Sequence, residues 1–383
     1  MTLEQNSSID FLLVTQTKGM FFNPHRPEGL EFITSSKAMR FTLRPTDQEG
    51  NACGNQKGLV CKLFGTYPTT KEQSDFVDSH INHGLMLRVA DDITLPFMSK
   101  AAILIDKNGK YKDGFHPRRC LFPSDIRQLI GDIESELVSK TNHFLKLLRW
   151  RQGIDAPCEV IEHRALYWKI GGGNYLLVPL EGAMQHTFVL PEMLGIHWDD
   201  EDSKNLQELW AKDDIAEPLG HTLVREASAL ASESPRSAIL IMTAALETAV
   251  KMHISSIAPD TDWLMEETPS PPIFKILRDY IPLIHLRRDN ELVFWEKVKP
   301  FIKKVQKLIE LRNKVAHTGK IPEDAGSIHD NLELVSDLLY LLDVLAGHDW
   351  AKSLTSQEFR NALDWPSPTH GRIIVTITDG YQS

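Results

Sequence analysis

Two hydrophobic rhythms divide the chain. In the first third, apolar residues gather in short runs of strand length: Asp10-Phe11-Leu12-Leu13-Val14-Thr15, Gly58-Leu59-Val60-Cys61-Lys62-Leu63-Phe64 and Ala101-Ala102-Ile103-Leu104-Ile105-Asp106. Turn signals separate them at Glu28-Gly29, Glu49-Gly50-Asn51 and Asn108-Gly109, the last read as a hairpin loop opened by Asp106-Lys107. Residues 1–125 are therefore expected to be mostly β. Pro123-Ser124-Asp125 then opens a helix whose apolar positions Ile126, Leu129, Ile130, Ile133, Leu137, Phe144, Leu147 and Leu148 keep helical spacing to Arg151, where Gln152-Gly153 stops it. Arg164–Ile170 and Asn174–Pro179 flank Gly171-Gly172-Gly173, and glycine supplies the positive φ of a tight hairpin turn. The expectation for residues 1–200 is an α+β domain with one long helix, serving to sense or regulate.

From the acidic stretch Trp198-Asp199-Asp200-Glu201-Asp202 onward the period becomes that of a helix, and the domain boundary is placed there. An all-α domain is expected over 205–350. Its helices are Leu219–Ala231, Ser237–Ile254 behind a first-turn Pro235, Ile273–Ile281, Glu291–His317 and Ile328–Ala346. Pro300 should kink or restart the fourth of these. Residues 351–383 form a tail that carries Ser356–Leu363, then Pro366 and Pro368, then a strand-like run at 373–378.

Composition narrows the class. The 383 residues are 42% hydrophobic and 25% charged, which suits a globular protein of two domains. No apolar run of the roughly 20 residues that span a bilayer is expected, and no secretory signal, so the natural reading is cytoplasmic with reduced thiols. The net charge of −10 disfavours a general nucleic-acid coat protein. Against that background residues 287–320 hold ten basic and four acidic side chains, a net of +6. Such an island suits a local anionic partner such as phosphate, or solvates one face of a long helix.

The candidate chemistry sits at the end of that island. The apolar stripe of 291–317 runs Val298, Ile302, Val305, Ile309, then Arg312, then Ala316. An arginine in an apolar register must meet a carboxylate, such as Glu247 or Glu310, or else an interface or a phosphate. Asn313 and His317 are one turn apart, whereas Arg312 and His317 differ by roughly 140° around an ideal helix. They converge only if the helix end frays or if two copies of the helix face each other. Gly319 is expected to cap the helix, leaving His317 in the last turn, where the dipole favours a cationic side chain. At a phosphate, histidine can move the proton of a 2′-hydroxyl or of the leaving oxygen, while arginine stabilises charge on the phosphoryl oxygens.

The run Leu308-Ile309-Glu310-Leu311-Arg312-Asn313-Lys314-Val315-Ala316-His317, with Ala245-Leu246-Glu247 on an upstream helix, resembles the R-x(4–6)-H motif and helical context of the HEPN superfamily over residues 205–350. The resemblance implies an all-α HEPN-like bundle after the α+β domain. It implies a homodimeric, metal-independent endoribonuclease of toxin or anti-phage systems, with RNA as substrate, no cofactor, and a regulatory protein as a further partner. Arg312, Asn313 and His317 would be catalytic, Lys303, Lys307 and Lys314 would bind RNA, and Glu247 and Glu310 would support them. A non-catalytic HEPN-like module that binds RNA, nucleotide or protein, or simply dimerises, stays open beside it.

Other signals are weaker. Cys53, Cys61, His80 and His83 have spacings unlike a usual zinc site, so no metal is expected. Gly171-Gly172-Gly173 lacks the Lys-Ser/Thr of a P-loop.

Overall fold

The computed structural model describes residues 7–17, 30–33, 39–45, 59–88, 106, 108, 110–111, 118–153, 161–179, 200–212, 215–261, 267, 272–285, 291–322 and 326–366. The chain divides into two units, Met1–Leu145 with Glu159–Ile215 and Lys146–Cys158 with Ala216–Ser383.

The first unit is built on an antiparallel sheet of strands β1 (Ser7–Thr17), β2 (Leu30–Ile33), β3 (Met39–Pro45), β4 (Leu59–Thr69), β5 (Ile161–Lys169) and β6 (Leu176–Leu177). Their order is β2-β3-β4-β1-β5-β6. Strand β1 lies between β4 and β5. Its period-two set Ile9, Phe11, Leu13 and Thr15 is buried, which fixes its register. Helix α1 (Lys71–His83) was expected as β, but Thr70 and Gln73 form a capping box that starts a helix. Helix α2 (Ser124–Gln152) spans the predicted range, and Gly153 ends it at φ +60°. Gly171, also at φ +60°, makes the expected turn between β5 and β6.

Helix α3 (Asp200–Trp210) corrects the expected boundary. Its apolar face, Leu206, Leu209 and Trp210, is buried in the first unit, with Trp210 ringed by Phe41 at 6.2 Å and Phe144 at 5.0 Å. The helical unit thus resumes at Ala216, not at 205. Gln207 of α3 also closes the sheet: its amide accepts from Ile33 N at 3.0 Å and donates to Ile33 O at 2.7 Å, standing in for a further strand at edge β2. The runs expected at 101–105 and 373–378 and the turns at 28–29 and 49–51 lie outside the described residues.

The second unit is helical: α4 (Leu219–Leu230), α5 (Pro235–Ile257), α6 (Ile273–Lys275), a π-turn (Ile276–Tyr280), α7 (Ile281–His285), α8 (Glu291–Thr318), α9 (Ile328–Leu345) and α10 (Gln357–Ala362). Helix α5 packs against α4, α8 and α9, and buries Ile239, Met242, Leu246, Val250 and Ile254 among them. By length and composition α5 resembles a membrane span, but half of its most apolar stretch is buried in this core. Helix α8 runs unbroken past Pro300, because Val298, Phe301 and Ile302 are buried on either side of it and packing outweighs one missing hydrogen bond.

A buried polar knot ties this unit together. Asp343 of α9 accepts from Trp150 Nε1 at 2.9 Å and meets His221 Nε2 at 2.8 Å. Glu217 bridges Arg149, at 2.6 Å, and Arg225, all three buried.

Candidate functional site

The end of α8 is a firm helix terminus. Gly319 adopts φ +66° and its N–H reaches Val315 O at 2.9 Å. Thr318 Oγ1 donates to Lys314 O at 2.6 Å and accepts from Lys320 N at 3.2 Å. The chain is therefore helical through His317, and fraying does not bring His317 round to Arg312. Five residues apart on a regular helix, the two point roughly 140° apart.

The buried stripe of α8 is Val298, Ile302, Val305, Leu308, Leu311 and Val315. Its steps of three and four residues average less than a helical turn, so it drifts around the rod. The stripe read from sequence through Ile309, Arg312 and Ala316 is one residue out of register at this end: Ile309 and Arg312 are half-buried and Ala316 is exposed. Arg312 is thus a flank residue and not a core arginine. Its Nη1 donates to Asn313 Oδ1 at 3.1 Å, while Asn313 and His317 are exposed. The expected carboxylate partners engage other groups, Glu247 pairing with Lys251 at 3.4 Å and Glu310 accepting from Gln306 at 3.0 Å.

The basic island is partly neutralised. Lys297 pairs with Asp364, Lys299 with Glu296, and Lys304 with Glu358 at 2.9 Å. Lys303 is exposed. Lys307 and Lys314 line a groove of about 780 Å³ between α8 and α9 whose walls also carry Glu310, Asp330 and Glu333. Those two lysines therefore face carboxylates across the groove and lie on the opposite side of α8 from Arg312.

Two features at this end were not read from the sequence. Arg236, in the first turn of α5, donates from Nη1 to Gly319 O at 3.0 Å. Because it joins the start of α5 to the end of α8, the two packed helices run antiparallel. Leu240 and Ala244, one and two turns into α5, then stand level with the last turns of α8. Both are exposed, as is Met252 farther along. The four-residue repeat Arg236, Leu240, Ala244 could have been found as a second, outward-facing stripe on a helix already apolar on its inner face.

Elsewhere in the helical unit, His253 of α5 and His285 of α7 meet Nε2 to Nε2 at 3.0 Å. Burial, assisted by His285 and opposed by Asp343, pushes the His253 pKa down to about 4. In the first unit, His80 Nδ1 bonds the Tyr111 hydroxyl inside a ring of Phe76, Phe122 and Trp168, and burial pushes its pKa down to about 4 as well. Cys61 is buried and its thiol is pushed up by desolvation, while His83 lies 3.7 Å from Asp78 and Cys53 falls outside the described residues. Among the described residues no three His, Cys, Asp or Glu side chains gather as metal ligands.

Neither family models, nor curated proteins, nor solved structures match this chain.

Proposed function

We propose that the helical unit is a HEPN-type endoribonuclease that works as a cytoplasmic homodimer in toxin or anti-phage defence, cutting RNA without a metal cofactor. The observation that carries the reading is the accessible Arg312–Asn313 pair and the exposed His317 on one unfrayed helix end, aimed too far apart to act together within a chain. A two-fold axis beside α8 sets the arginine of one copy against the histidine of the other. The exposed Leu240, Ala244 and Ala316 supply small and apolar surface for that contact.

In this arrangement His317 takes the proton from a ribose 2′-hydroxyl. The 2′-oxygen bonds to phosphorus, the bond to the 5′-oxygen breaks, and the imidazolium formed on His317 returns its proton to the leaving oxygen, which yields a 2′,3′-cyclic phosphate and a free 5′-hydroxyl. Arg312, oriented by Asn313, stabilises the phosphoryl oxygens as charge builds on them. The test is cleavage of single-stranded RNA by the full chain in excess chelator. Arg312→Ala and His317→Ala should each lower the rate by at least about 100-fold. A 2′-deoxy nucleotide at the cut site should block it. Cleavage that survives both substitutions refutes the proposal.

A second reading has its own support. The groove that holds Lys307 and Lys314 presents both signs of charge over Leu308, Leu311 and Leu334, which suits a protein segment better than a polyanion. A non-catalytic interaction module predicts no cleavage of any RNA and loss of partner binding when the groove is altered.

A further inference from the structure

The helix end that carries His317 is a poor place for a phosphate. The peptide dipoles of α8 leave roughly half a negative charge at its C-terminal carbonyls, and these repel an anion within the last turn. Thr318 and Gly319 tie two of those carbonyls back into the chain, but they are neutral groups. Arg236 brings a full positive charge next to this end, its Nη1 3.0 Å from the carbonyl of Gly319, the residue that follows the helix and lies two positions after His317. Its position is unfavourable for its own helix, because a cation in the first turn of α5 opposes that dipole. The contact with α8 supplies the compensation. The side chain is exposed, so the rest of the guanidinium is open to solvent.

We propose that Arg236 is a positioning residue of the phosphate site: it cancels the negative pole of α8 and turns the potential beside His317 positive, so that an RNA phosphate settles against the imidazole. This rests on the nuclease reading above. It adds a cation contributed by α5 to the arginine and histidine of α8.

The experiment uses the full chain, a fluorescein-labelled single-stranded RNA oligonucleotide, and three variants: Arg236→Ala, Arg236→Gln and Arg236→Lys. Glutamine keeps a hydrogen-bond donor for Gly319 O without the charge, and lysine keeps the charge without the fork. Binding is measured by anisotropy over a salt series, alongside cleavage kinetics and thermal melting. The alanine and glutamine variants should bind roughly three- to tenfold more weakly, with the slope of log affinity against log salt about 0.7 shallower. Their KM should rise while kcat stays within about twofold, and lysine should restore most of the salt slope. A glutamine variant that matches the wild type shows a purely structural hydrogen bond and overturns the proposal, as does an unchanged alanine variant. Wild-type protein that binds no RNA at any salt overturns the nuclease reading and this proposal with it. Wild-type binding that Arg236→Gln leaves untouched overturns this proposal alone.

Discussion

His253 makes the stability of the helical unit depend on pH in a direction the structure dictates. The residue is 6% exposed, its ring in contact with His285 and within electrostatic reach of Asp343. Burial holds its pKa at about 4 against an ordinary value of 6.5. Above pH 6.5 both the native and the unfolded imidazole are neutral and the residue is silent. As pH falls below 6.5 the unfolded chain takes up a proton that the native helix refuses, so stability declines until the folded group protonates near pH 4. Between about pH 7 and pH 5 the loss should be roughly 2 kcal/mol, from about 1.4 kcal/mol per pH unit of differential protonation. The assay is native-state hydrogen exchange of the α5 amides at both pH values, corrected for intrinsic exchange, in wild type and His253→Gln. The variant cannot titrate and should lose most of that pH dependence whatever its own stability. Equal dependence in the two proteins would refute the desolvation argument.

Three further outcomes follow from the packing. Asp343→Ala should cost about 3 kcal/mol or more in urea unfolding, because Trp150 Nε1 and His221 lose their shared buried acceptor; Asp343→Asn should cost less. Gly319→Ala meets no neighbour, so only the strain of φ +66° acts, about 1 kcal/mol, and it should appear as faster amide exchange confined to the last turn of α8. Gln207→Ala uncovers the backbone of edge strand β2 at Ile33 and should raise concentration-dependent aggregation with little change in melting temperature, as light scattering would record.

The long elements were readable because each carries a period and a stop. Helix α2 has its apolar spacing and Gly153, helix α8 its stripe and Gly319, and the β5–β6 turn its glycines. Helix α1 was hidden because only Phe76 and Val77 of its apolar residues are buried, so its period is faint and the capping box of Thr70 and Gln73 is the better signal. Helix α3 reads as acidic linker, and the aromatic cluster around Trp210 together with the Gln207–Ile33 hydrogen bonds assigns it to the sheet unit. At the site, the residues of the motif fell on the predicted helix end, but a drift of the stripe by one position separates a buried arginine from a half-exposed one, and period alone does not resolve that. Arg236 and the Glu217 and Asp343 clusters join residues far apart in sequence, and no local pattern announces such contacts.

The most direct test of the account is complementation between dead chains. Arg312→Ala and His317→Ala proteins, each inactive alone, are mixed, allowed to exchange subunits and assayed on RNA. If arginine and histidine meet only across two copies, half of the dimers are mixed and each holds one intact site, so activity should return to about a quarter of the wild-type rate. A mixture as inactive as its components, beside an active wild type, would contradict the claim that the two side chains act together only across a dimer.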